Sequence, residues 1–166
     1  MEPVTGLGDK VLVQVCVVVD DADAFMTRYA DLFGIANPKL SVTEAHHRSG
    51  ATYFGQPTDA TARIYTWAFG ALGFEILQPI GENSVWKDWL DAHGPSIHHV
   101  AFRVTDSDNV AKEFERHGYT VMQQGFFTGA HPNGGHRGMY TYLNTAKALG
   151  ATFELLESFD PDGPVR

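Results

Sequence analysis

Cysteine is almost absent. The chain carries one, Cys16, so no internal disulfide framework braces it. Basic residues are scarce as well: 12 Lys and Arg stand against 20 Asp and Glu, a formal net charge of -8. No Lys/Arg cluster is available to track phosphates, which argues against a nucleic-acid partner. Charged residues make up only 19% against 43% hydrophobic, the balance of a folded globule rather than a disordered segment. No apolar run approaches membrane-spanning length, and no signal-peptide pattern precedes the first strand-like run. The expectation is a soluble, cytoplasmic protein without a membrane partner. Its 166 residues are enough to bury a real core, as one ordinary domain or two small fused modules.

What the chain does have is an internal repeat. Gln14-Val-Cys-Val-Val-Val-Asp-Asp-Ala-Asp aligns without a gap on His99-Val-Ala-Phe-Arg-Val-Thr-Asp-Ser-Asp. Phe74-Glu75-Ile76-Leu77-Gln78 matches Phe153-Glu154-Leu155-Leu156-Glu157 in the same way. The repeat predicts an α+β fold: two tandem βαβββ modules forming a curved, partly closed mixed sheet around a metal site. The first module spans residues 8–80, a connector 81–94, and the second module 95–158.

Local pattern supports this division. Val11 to Val19 is a β-branched run of strand length. Asp20 to Asp23 offer N-caps for a helix with Phe25, Tyr29 and Phe33 on one face, closed by Gly34. Residues 35–62 are broken by Pro38, Gly50, Gly55 and Pro57, with one short strand near Thr52 to Phe54. Arg63 to Phe69 and Gly73 to Ile80 read as a hairpin. Val85 to Leu90 read as a connector helix. The second module offers a strand from His98 to Val104, a helix from Ser107 to His117, and strands at Tyr119 to Phe127, Met139 to Leu143 and Thr152 to Leu156. A Gly/His-rich loop lies at 129–138, and Pro161 to Arg166 read as a frayed tail.

Two repeat-equivalent strands each open with a side chain able to bind a metal, and two close with a carboxylate. Alternate residues of a strand share a face, so Gln14 sides with Cys16 and Val18, and His99 with Ala101 and Arg103. Singly, Gln14 reads as a satisfied edge-strand amide and His99 as a hydrogen-bonded core histidine. Glu75 and Glu154 interrupt apolar strands, where an unpaired carboxylate costs several kcal/mol. Together the four form a candidate shell for a divalent cation, and mixed N/O ligands accept Zn, Ni, Co, Mn or Fe. His98, next to His99, is expected to face away and to be structural. His46, His47, His131 and His136 read as exposed or hydrogen-bonded, and Cys16 as an inert buried thiol. Tyr65 and Trp67, with their counterparts Tyr140 and Tyr142, are expected as core residues of which some line the cleft. Arg63 is open between binding an anionic substrate group and capping a strand.

The repeats, with Trp86-Lys-Asp-Trp-Leu-Asp-Ala-His-Gly-Pro-Ser-Ile-His-His-Val-Ala-Phe before the second module, resemble the vicinal oxygen chelate superfamily over roughly residues 8–158. That superfamily includes glyoxalase I, methylmalonyl-CoA epimerase, extradiol dioxygenases and bleomycin-resistance proteins. The resemblance implies Gln14, Glu75, His99 and Glu154 as metal ligands, a set like that of glyoxalase I. The epimerases typically show His and Gln where this chain has Gln14 and Glu75. The implied activity is a metal-dependent isomerase, epimerase or lyase that abstracts a proton next to a carbonyl, with Glu154 the first choice of base and Glu75 the second. Arg63, Tyr65, Tyr140 and Tyr142 are the expected substrate-binding residues. The implied substrate is a small molecule with vicinal oxygens or a thioester, and the implied assembly a homodimer. A non-haem iron dioxygenase and a ligand-sequestering binding protein are the alternatives.

Overall fold

The computed structural model describes residues 4, 7, 12–127 and 135–159. His131 and the tail from Pro161 therefore lie outside the described residues. The first strand, β1 (Leu12–Val18), is an almost unbroken apolar run, and its second half is fully buried. The aspartates that follow stop it. Asp21 accepts a hydrogen bond from the Ala24 amide and caps α1 (Ala22–Phe33), which ends at left-handed Gly34. Short elements come next: β2 (Lys39–Val42), α2 (His46–Ser49), β3 (Thr52–Tyr53) and β4 (Gln56–Pro57). The long hairpin of β5 (Thr61–Phe69) and β6 (Leu72–Ile80) turns through Gly70 at φ 63°.

Ser84 caps the connector helix α3 (Val85–His93). The Val85 amide at its start donates to Gln123 Oε1 at 2.8 Å, tying the helix to the second half of the chain. That half runs β7 (Ser96–Val104), α4 (Ser107–Arg116), β8 (Val121–Phe126), β9 (Gly138–Leu143), α5 (Ala146–Leu149) and β10 (Thr152–Ser158).

Ten strands form one curled mixed sheet in the order β2-β5-β6-β1-β7-β10-β9-β8-β3-β4. The two repeat-opening strands, β1 and β7, pair antiparallel at its centre. Each is flanked by the closing strand of its own repeat in parallel, β6 beside β1 and β10 beside β7. The α+β architecture and curved mixed sheet expected from the repeat are present. On the outer face α1 covers Val17, Val19 and Ile76, while α4 packs Val110, Ala111 and Phe114 against Val104, Leu143 and Leu155. Each large side chain so buried contributes about 1.5–3 kcal/mol. Inside the curl, Trp86 of α3 meets Cys16, Val18, Leu77, Tyr140 and Tyr142.

One strand is not where its position in the chain suggests. The segment at Thr52 was expected to complete the first module, yet β3 pairs with β8 and lies beyond the second. The edge of the first half is β2, against β5. Its pattern is inverted: Leu40 and Val42 are 46% and 52% exposed, and the polar Ser41 between them points inward. Hydrophobic alternation therefore points to the wrong inner face for this strand.

Candidate metal centre

Strand register places the candidate ligands in two adjacent rows on the concave face. One row, from β6 to β10, reads Gly73, Gln14, Ala101, Glu154. The next reads Glu75, Cys16, His99, Thr152. Read in opposite directions, the rows are repeat equivalents: Gln14 matches His99, Glu154 matches Glu75, and Cys16 stands where the second repeat has Ala101.

The four side chains meet. His99 Nε2 lies 3.3 Å from Glu154 Oε2 and 3.9 Å from Glu75 Oε2. Gln14 Nε2 stands 3.4 Å from His99 Nε2 and donates to Glu154 Oε2, also at 3.4 Å. Cys16 Sγ lies with Glu75 and His99, all within 4.8 Å of one another. Ligands about 2.1 Å from one ion stand roughly 3.0–3.4 Å apart at octahedral or tetrahedral angles. The spacings among Gln14, His99 and Glu154 fall in that range and Glu75, 3.9 Å from His99, stands just outside it; the chemistry, two carboxylates, one imidazole nitrogen and one amide, suits a shared cation. Rotating the Gln14 amide by half a turn exchanges its nitrogen for Oε1, the atom a cation would take.

The electrostatics point the same way. Burial, and then the charge of Glu154, push the Glu75 carboxyl up to about 8. Burial pushes Glu154 up to about 8, with the facing Tyr142 hydroxyl as a partial offset. His99 is fully buried and is held down to about 3, hence neutral. Burial and the two nearby carboxylates raise the Cys16 thiol well above its usual range. A group raised in the folded state contributes stability below its unfolded value, and loses it as pH climbs through the folded value. For the two carboxyls that window runs from about 4.5 to about 8. Below about 6.5 the histidine opposes it, because its depressed value makes acid destabilising. Metal-free protein is therefore expected to lose thermal stability as pH rises from 6.5 to 8, and saturating Zn(II) to cancel that loss. Thermal scans across this range check both, and a flat metal-free profile would reject the carboxylate pair as the cause.

The cluster opens into a cleft of about 480 Å³. Tyr140 and Tyr142 line it, with Ile64, Thr66, Trp86 and Leu156. Arg63 and Tyr65, expected to bind substrate, are on the other face. Both hydrogen-bond Asp23 Oδ1 at 2.6 Å, against α1. The error is one residue of register. Thr66 pairs with Glu75 as Tyr142 pairs with Glu154, so Ile64 and Thr66, not Tyr65 and Trp67, match Tyr140 and Tyr142. Sequence reasoning also missed Lys39, Ser41 and Thr43 on and just after β2, and Arg137, all lining the cleft. The polar residues at 39, 41 and 43 do recur at period 2, the one signal that marks them. The loop and helix histidines stand apart: His46 Nδ1 contacts the Ala51 carbonyl at 2.7 Å, His47 is exposed, and His136 stacks on Phe126.

The chain aligns over 90% of its length with the crystal structure of methylmalonyl-CoA epimerase from Mycobacterium tuberculosis, covering 88% of that chain at 21% identity and a TM-score of 0.58. A Streptomyces coelicolor methylmalonyl-CoA epimerase variant in complex with 2-nitronate-propionyl-CoA aligns over 93% and 99% of the two chains, at 19% identity and a TM-score of 0.58. A hypothetical protein from Bacillus halodurans C-125 aligns over 93% and 98%, at 17% identity and a TM-score of 0.60. At these identities the likeness is one of fold. No curated protein sequence matches the chain. No helix among the described residues is long and apolar enough to cross a membrane. The family model for the glyoxalase/bleomycin resistance protein/dioxygenase superfamily matches residues 13–139, and the chain belongs to that superfamily.

Proposed function

We propose that this protein is a divalent-metal-dependent isomerase or epimerase that moves a proton on the carbon next to a carbonyl, with a thioester or a compound with vicinal oxygens as substrate. The observation that carries this reading is the pair of carboxylates, Glu75 and Glu154, at one buried donor cluster on the floor of a cleft. Gln14, Glu75, His99 and Glu154 would hold the cation. When bound, it supplies positive charge opposite the negative charge that develops on the substrate carbonyl. The protein's own groups do the rest. Glu154 accepts the proton as the C–H bond breaks and the electron pair moves into the carbonyl. Glu75 approaches from β6 while Glu154 approaches from β10, so the two flank the central strand pair and return a proton from the other side. Trp86, Tyr140 and Tyr142 wall the cleft with aromatic surface that limits water at the reacting carbon. The fold neighbours named as methylmalonyl-CoA epimerases, one holding a propionyl-CoA analogue, support an acyl-CoA thioester as the first substrate class to test.

The test couples elemental analysis of protein purified without added metal to turnover in deuterated water. Substrates are 2-methyl acyl-CoAs, α-hydroxy thioesters and catechols. The expected result is one divalent ion per chain and solvent deuterium on the carbon next to the carbonyl. Oxygen uptake on a catechol without deuterium incorporation would replace this reading with a dioxygenase. Neither signal, with no bound metal, would leave a binding protein.

A further inference from the structure

His98 does not face away from His99. Between β1 and β7 the register shifts: Val17 pairs with Ile97 and Cys16 with His99, leaving His98 as the extra residue of a β-bulge. A bulge re-aims a side chain that strict alternation would send to the opposite face. His98 is accordingly 1% exposed and packs edge-on to both Trp89 and Tyr142, the residue that also contacts His99. Its Nδ1 lies 2.9 Å from His99 Nδ1. Two neutral imidazoles make that bond only when one nitrogen carries the proton and the other the lone pair.

The cation that the cluster would hold sets the direction. The Nε2 of His99 faces the cluster, 3.3 Å from Glu154 Oε2 and 3.4 Å from Gln14 Nε2, and a nitrogen that ligates a cation offers its lone pair. His99 Nε2 therefore bears the lone pair and its Nδ1 the proton. With a cation bound, that tautomer is required whichever way the Gln14 amide turns.

We propose that His98 is a positioning residue: it accepts the His99 Nδ1–H and so holds the His99 Nε2 lone pair on the Gln14–Glu75–Glu154 cluster. The contact between the two imidazoles stands on geometry; its direction and its consequence for metal affinity rest on the cation-binding reading above. His98 then carries its own proton on Nε2. A hydrogen-bond partner on the remote nitrogen of a ligating histidine typically accounts for 10–100-fold in metal affinity.

Long-range 1H–15N spectra of the Zn(II)-loaded wild-type protein read each tautomer directly. They are expected to show the proton on Nδ1 of His99 and on Nε2 of His98. His98→Phe keeps an aromatic ring against Trp89 and Tyr142 but removes the acceptor. It is expected to cost His99 its single tautomer and to raise the Zn(II) dissociation constant about 10–100-fold. His98→Asn places an acceptor oxygen close to the lost nitrogen and is expected to recover most of that affinity. His99→Ala is the reference: unchanged Zn(II) affinity there would retire the cation-binding reading, while the tautomer spectra still decide the role of His98. The proposal is overturned if His99 of the wild type carries its proton on Nε2, or if His98→Phe leaves tautomer and affinity unchanged. If His98→Phe fails to fold, the wild-type spectrum and His98→Asn still decide it.

Discussion

Glu154→Gln is expected to lower turnover by about 10²–10⁴, the usual worth of a positioned general acid or base. The substitution suits the question because it removes ionisation while keeping shape. Glu154 is only 3% exposed, and its Oε2 sits beside His99 Nε2 and the Gln14 amide. A glutamine there still fills the space and still offers an oxygen, so the sheet and its register are retained. One ambiguity is built into the site, since the same carboxylate would hold the cation and take the proton. Metal occupancy must therefore be measured in the sample that is assayed. Turnover lost with occupancy retained assigns Glu154 to proton transfer. Turnover within threefold of wild type at full occupancy would remove it from the chemistry.

The parts of the site that the sequence disclosed are those written into the repeat. Gln14 and His99 share one repeat position, Glu75 and Glu154 another, and duplicated strands paired at a sheet centre bring repeat positions together. No long-range information beyond that symmetry was needed. The parts that stayed hidden are those where local rules and the fold part company. Period-2 logic fails at a bulge, so His98 was assigned to the wrong face. It also fails when equivalent strands are aligned one residue out, which sent Arg63 and Tyr65 toward the cleft although they face α1. An edge strand with solvent-facing Leu40 and Val42 presents the reverse of the usual pattern, and its contribution to the cleft went unread. The crossing of β3 to pair with β8 depends on a contact between distant parts of the chain. Nothing in residues 50–58 records it.

The site's symmetry also separates a two-base enzyme from a one-base enzyme. Glu75 and Glu154 occupy equivalent positions on the closing strands of the two repeats, one on each side of the β1–β7 pair. A substrate seated over that pair presents its two stereoisomers with the mobile hydrogen toward one carboxylate or the other. Glu75→Gln is then expected to stop interconversion of the isomers, by about 10²–10⁴. It should leave near-normal solvent deuterium exchange in the single isomer whose hydrogen faces Glu154. Glu154→Gln should leave exchange only in the opposite isomer. The measurement is exchange and epimerisation of each pure isomer, followed by NMR in deuterated water, at equal metal occupancy. Equal loss of exchange from both isomers in Glu75→Gln would reject a second base. Unchanged interconversion would confine Glu75 to holding the cation. The reciprocal pattern has no source other than two bases on opposite sides of one carbon, because a metal-affinity defect would slow both isomers alike.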